Sequence, residues 1–177
     1  MSRAVSRASG GPGRGGVGRL LAPLMGLLWA LMAAAPAAAS PCAENEVLLR
    51  GPFGQARFAI ELADEPQERA QGLMWVTDMP LGSGMLFVFP APQSVRFWMK
   101  NTPLSLDMLF IGPEGRVLRL HENAVPLDPT IIDGGPGVRA VLEINGGLAA
   151  AIGIGPGAEI RHPVFGPDAA WPCPDPG

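Results

Sequence analysis

Gly84-Met85-Leu86-Phe87-Val88-Phe89 and Phe97-Trp98-Met99-Lys100-Asn101-Thr102-Pro103-Leu104-Ser105-Leu106-Asp107 hold two apolar runs and a proline turn within 24 residues. The chain's only lysine and a carboxylate set inside an apolar run fall in the same stretch. Short runs rich in aromatic and branched residues, bounded by Gly and Pro, read as β-strands. Strands are therefore expected at Met85–Phe89, Val95–Lys100 and Leu104–Ile111, the last two paired across the Asn101-Thr102-Pro103 turn.

The flanking sequence carries the same grammar. Ala56, Phe58, Ile60 and Leu62 alternate with Arg57, Ala59 and Glu61, the pattern of a half-buried strand. Asp64 reads as a helix N-cap, with Pro66 in the first turn and Glu65 and Glu68 near the positive end. That helix is expected to reach Leu73 or Met74. Gly112-Pro113-Glu114-Gly115 is a turn by composition. It leads to strands at Arg116–Glu122 and Val138–Asn145, the second ended by Gly146-Gly147. Leu148–Ile154 reads as a short helical turn, Ala158–Arg161 as a last strand, and the five prolines after His162 as an extended tail. Asn123–Gly137 is too long and too rich in Pro and Gly for a tight turn, so a flap with a binding role is expected there. The fold class is α+β, mainly β: a small barrel-like curled sheet with one short helix packed against it.

With Gly72-Leu73-Met74 upstream and Leu142-Glu143 downstream, these motifs resemble the family known as domain of unknown function 192, from about Arg57 to Arg161. The resemblance implies a compact, barrel-like β domain with a helix against it, here residues 56–162. It also makes Trp98, Lys100, Asn101 and Asp107, which lie within the matched motif, candidate ligand-binding residues. The family is uncharacterised, so the resemblance supplies no substrate.

Residues 1–39 have the layout of a secretory signal peptide: Arg3, Arg7, Arg14 and Arg19, an apolar run from Leu20 to Ala35, and Ala37-Ala38-Ala39 before Ser40. The apolar run is shorter than the ~20 residues of a membrane-spanning helix. Residues 40–55 form an N-terminal segment with a first short strand, and 163–177 the Pro-rich tail. Export to the periplasm or beyond is the expectation. After residue 39 there are nine basic and 16 acidic residues, a net charge of −7. Such a chain is a poor partner for nucleic acid, whose phosphates require clustered Lys and Arg, and for an anionic membrane surface. The two cysteines, Cys42 and Cys173, stand at opposite ends of the exported chain. An even count in an oxidising compartment points to a disulfide; two unpaired thiols are the alternative.

Asp107 shares a strand face with Leu109 and Ile111, while Leu106, Met108 and Phe110 take the other. A carboxylate on a strand covered on both faces is costly unless satisfied. Arg96 and Lys100 are its expected partners, and a site role through a perturbed pKa is the functional alternative. Lys100 stands alone against twelve arginines, which suggests that a compact ammonium is wanted there. Glu143, with Arg139 and Val141 on its face, reads as part of a solvated ion pair, or as a ligand-binding residue. Were Glu143 and Asp107 to meet in one pocket, acid–base or glycosidic chemistry would be open to them.

Met74, Met79, Met85, Met99 and Met108 cluster in sequence and could hold Cu(I), although thioethers inside apolar strands more often fill core space. His121 and His162 are isolated and make no zinc site. The chain has neither a Gly-x-Ser-x-Gly elbow nor a phosphate-binding loop ending in Gly-Lys-Ser/Thr. No cofactor is expected. The leading expectation is an exported binding or accessory module that takes a small polar ligand or an envelope partner between the 98–107 hairpin and the 123–137 loop. The alternatives are an enzyme using Asp107, with or without Glu143, on a saccharide-like substrate, and a Cu(I)-handling protein.

Overall fold

The alternating pattern folds into β1 (Glu46–Gly51), β2 (Gly54–Ala63), β3 (Ser83–Phe97), β4 (Leu106–Ile111), β5 (Val117–Ala124), β6 (Ile132–Asn145) and β7 (Glu159–Arg161). Two short helices, α1 (Pro66–Gln71) and α2 (Leu148–Ile152), lie between them. The computed structural model describes residues 42–174. The expected signal peptide lies outside the described residues. One sheet joins the strands in the order β5-β4-β6-β3-β2-β1-β7. All pairings are antiparallel except β2 with β3, whose crossover contains α1.

The sheet curls into a half-barrel, and its two edges approach one another. Arg116 bridges Glu159, and Val117 N–H donates to Ala158 O at 2.8 Å. The inner face takes apolar side chains from every strand, among them Val47, Phe58, Leu86, Leu109, Val117, Leu142 and Ile160. Helix α2 contributes Ala149 to this inner core. A second apolar layer lies on the outer face of β3, β4 and β6. Phe87, Met108, Phe110 and Val141 pack there against Leu73 and Met99 from the connecting segments.

Several expectations are corrected. Met85–Phe89 and Val95–Phe97 are parts of one long strand, β3, which ends before Trp98 and pairs with β2 and β6 and not with β4. The β3–β6 register slips between Val88 and Arg96, where Pro90 and Pro92 have no N–H to offer the ladder. The expected hairpin across Asn101-Thr102-Pro103 therefore does not form. Residues 98–105 instead cross from β3 to β4, which pairs with β5 and β6. Helix α1 begins after Glu65 rather than Asp64 and ends at Gln71. Glu68 Oε2 accepts the N–H groups of both Asp64 and Glu65, at 3.2 and 3.1 Å, so the acidic cap sits one residue later than expected.

The expected flap at 123–137 is shorter, because Asn123 and Ala124 belong to β5 and Ile132 to Gly137 belong to β6. The carboxylate of Asp133 accepts the Gly135 N–H at 2.8 Å and steadies this irregular stretch. The tail, expected to be extended, packs in part on the domain. Pro163–Phe165 form a 3-10 turn, and Phe165 and Trp171 are buried. The guanidinium carbons of Arg50 and Arg161 lie 4.7 and 4.4 Å from the Trp171 ring. A disulfide joins Cys42 to Cys173, with Cα atoms 5.7 Å apart. No helix of the described residues is long and apolar enough to cross a membrane.

Candidate functional site

Asp107 is fully buried on β4. Its partners are neither Arg96, on β3, nor Lys100, in the segment that joins β3 to β4. Oδ1 accepts the N–H of Asn123 at 2.8 Å and of Gly147 at 2.9 Å, and Oδ2 accepts that of Ala149 at 2.8 Å. Asn123 and Gly147 both adopt positive φ, 53° and 79°, which turns their N–H groups inward. Gly147 occupies the N-cap of α2 and has no side chain to cap it, so the strand carboxylate satisfies the helix's orphan donors in its place. Three backbone donors thus surround Asp107 and tie β4, the end of β5 and α2 together.

Glu143 behaves in the opposite way. It lies in β6 between two methionines, Met85 on β3 and Met108 on β4. That register turns its side chain to the outer apolar layer, so it is not the solvated ion-pair residue expected. Its exposure is only 4%. Among the described residues no ion pair reaches its carboxyl. Burial alone pushes its pKa up to about 8, because the charged form is desolvated with nothing to compensate it. The carboxyl is a neutral acid at pH 7.

Glu143 lines a pocket of about 240 Å³. Phe87, Phe97, Met99 and Leu106 supply apolar wall, and Arg69, Arg96 and Trp98 also border it. Arg69 reaches over from α1, donating to the carbonyl oxygens of Asp64 and Val88 and lying 5.6 Å from the Phe89 ring centre. Gly72, at φ 50°, lets the chain turn off α1 beside Phe87, where a methyl group would stand only 3.0 Å from the ring. Gln71, Gln93, Ser94 and Thr102 complete a lining that is part polar, and hydrophobic wall with a few placed polar groups is the usual form of a small-molecule site.

The sequence candidates divide among these places. Trp98 and Glu143 line the pocket; Lys100, Asn101 and Asp107 do not. The Lys100 ammonium lies 5.5 Å from the Trp98 ring centre, a cation–π contact on a tryptophan that is 45% exposed. Asn101, at φ 60°, accepts the Trp75 N–H on its backbone oxygen at 2.8 Å and so fixes the loop after α1. Residues 98–107 and 123–137 are joined where Met99 N–H donates to Asp128 O and Leu127 N–H to Thr102 O, and beside that seam lies a second pocket of about 310 Å³ bordered by Met99, His121, Asp128 and Ile131. Met85, Met99 and Met108 are buried in the outer apolar layer. Arg69 escaped the sequence reading, because nothing distinguishes it there from a solvated arginine on a helix.

Residues 50–162 match the model of the family described as DUF192, Uncharacterized ACR. Among solved structures, the chain is 40% identical to a protein of unknown function from Novosphingobium aromaticivorans DSM 12444, with a TM-score of 0.64. That match covers 70% of this chain and 93% of the other. It is 42% identical to a protein from Sinorhizobium meliloti 1021 described as a putative transcription regulator, again with a TM-score of 0.64. Here 68% of this chain and 95% of the other are covered. No curated protein matches.

Proposed function

The chain belongs to the uncharacterised family DUF192, and we propose that it is an exported binding module that holds a small ligand in the pocket above Glu143. One observation carries the reading: a carboxyl buried to 4% exposure faces a cavity of mixed apolar and polar lining without an ion-pair partner among the described residues. A buried acid left without compensation costs stability, and such costs concentrate at binding sites. The Cys42–Cys173 disulfide and the signal-like leader support a periplasmic or secreted location. The description of the Sinorhizobium relative as a regulator is not extended to this protein, whose exported part carries a net charge of −7, against what nucleic acid requires.

Binding is favoured over turnover by the company Glu143 keeps. Its pocket is lined by no other Asp or Glu, and by no His or Cys. Asp107, the residue on which an enzymatic reading depends, has its oxygens occupied by backbone donors. A fragment screen followed by amide NMR shifts tests the proposal. Saturable shifts are expected at Leu73, Val95 to Met99 and Glu143. Shifts confined to residues 125–131, or a new product in the mixture, would count against it.

A further inference from the structure

We infer that the ligand of this pocket is an organic monoammonium ion, its nitrogen seated on Glu143 and its apolar body against Phe87, Phe97 and Met99. The inference rests on reading the pocket as a ligand site and specifies what enters it. Three features of the geometry lead there. The first is the kind of acceptor. If the floor of the pocket had only to hydrogen-bond a neutral group, an amide side chain would serve without any cost of ionisation. A carboxyl gains over an amide when it can ionise against a cation brought in by the ligand.

The second feature is that the positive charge at hand does not reach Glu143. The Arg69 guanidinium is engaged with the backbone oxygens of Asp64 and Val88 and with the face of Phe89. Arg96 borders the pocket but is exposed. Arg139, four residues before Glu143 on β6, has a buried Nη1 without a hydrogen-bond partner but does not line the pocket. None of the three arginines forms an ion pair with a carboxylate among the described residues, so the compensating charge is left to the occupant. The third feature is the wall. Phe87 and Phe97 meet edge to face with ring centres 5.2 Å apart, and aromatic faces favour a desolvated cation. Arg69 and Arg96 oppose any positive charge in the pocket, so the ligand is limited to the one ammonium that an ionised Glu143 balances, with a neutral or anionic far end.

Proton balance gives the inference its signature. Free Glu143 is protonated at pH 7, its pKa raised to about 8. Seating an ammonium converts the acid to carboxylate, and the proton leaves to solvent. The ammonium keeps its own three protons.

The test uses three probes of matched apolar body: phenethylammonium, phenethyl alcohol and phenylpropanoate. Calorimetric titrations at pH 7, in two buffers of different ionisation enthalpy, read the protons exchanged. Phenethylammonium is expected to bind with release of about one proton per ligand, and the release is expected to vanish at pH 9, where Glu143 is already ionised. Glu143→Gln is expected to weaken the amine by roughly thirtyfold or more and the alcohol far less. Alcohol or carboxylate binding as tightly as the amine, or amine binding without proton release, overturns the ammonium inference while leaving the pocket as a ligand site. Absence of binding by all three, with no amide shift at the pocket, overturns both. Should Glu143→Gln fail to fold, the wild-type proton count at pH 7 against pH 9 decides alone.

Discussion

Asp107 and Glu143 stand on neighbouring strands one register step apart and face opposite sides of the sheet. Asp107 pairs with Ile144, and Met108 with Glu143. The first pair turns inward with Leu109 and Leu142, and the second outward with Phe110 and Val141. Two carboxylates so close along the chain pairing never share a cavity. One is saturated by backbone donors; the other lines a pocket. Their substitutions are expected to have opposite consequences.

Asp107→Asn leaves one acceptor oxygen where three N–H groups converge, and it turns an amide donor toward at least one of them. A loss of about 2–4 kcal/mol in unfolding free energy is expected, read from denaturant melts at pH 7. A loss below about 1 kcal/mol would mean that the three hydrogen bonds do not hold α2 and β5 to β4.

Glu143→Gln is expected to stabilise the ligand-free protein at pH 7 and to change its pH profile. With the folded pKa raised to about 8 from 4.5, the native state keeps a proton that the unfolded chain has lost. Wild-type stability therefore falls as pH rises between these values, by up to about 1.4 kcal/mol per unit, and levels off above pH 8. Buried His162, whose pKa is lowered by desolvation, acts in the reverse sense, its contribution being lost as pH falls below its ordinary range. The measurement is thus the difference between wild type and variant from pH 5 to pH 9. A flat difference would contradict the uncompensated burial of Glu143.

Replacing Cys42 and Cys173 together by Ser removes a cross-link spanning 131 residues. A loss of up to about 5 kcal/mol is expected from loop entropy. Trp171, held between Arg50 and Arg161, is expected to become more exposed, with a red-shifted emission. An unchanged denaturation midpoint and emission would show that the tail holds its place without the cross-link.

Gly84→Ala places a methyl group against backbone. The added carbon would overlap the Glu143 carbonyl oxygen and press on Ile144 Cγ2 at 3.2 Å. Since β3 and β6 are bonded at this point, neither can yield cheaply. A destabilisation of about 1–3 kcal/mol is expected in thermal or denaturant melts. Gly82, where an added Cβ meets nothing within 4 Å, is the control, and equal effects at both would refute the close approach.

Much of the local structure was legible because side-chain direction in a strand has a period of two. Alternation placed Asp107 with Leu109 and Ile111, and both faces of that strand are buried as read. Turn glycines and prolines marked most strand ends. The long β3 was split in two by Pro90 and Pro92, which read as breakers although the strand passes through them with only a slipped register. Trp98 and Glu143 were identified as candidates, and both line the pocket. Arg69 was not, for the register that brings a helix beside a particular strand leaves no mark on the helix's own sequence.

By itself the sequence determined what depends on near neighbours along the chain: the mainly β class, the family, the strand faces, the acidic charge and an even pair of cysteines. The tertiary structure alone decided which strand lies beside which. It brought Asp107 its donors from 16, 40 and 42 residues away, and it set Glu143 between Met85 and Met108 at the edge of a cavity. Whether a buried carboxyl is satisfied depends on groups that meet only after the chain has closed on itself, and strand alternation says which way a side chain points without saying what it will find there.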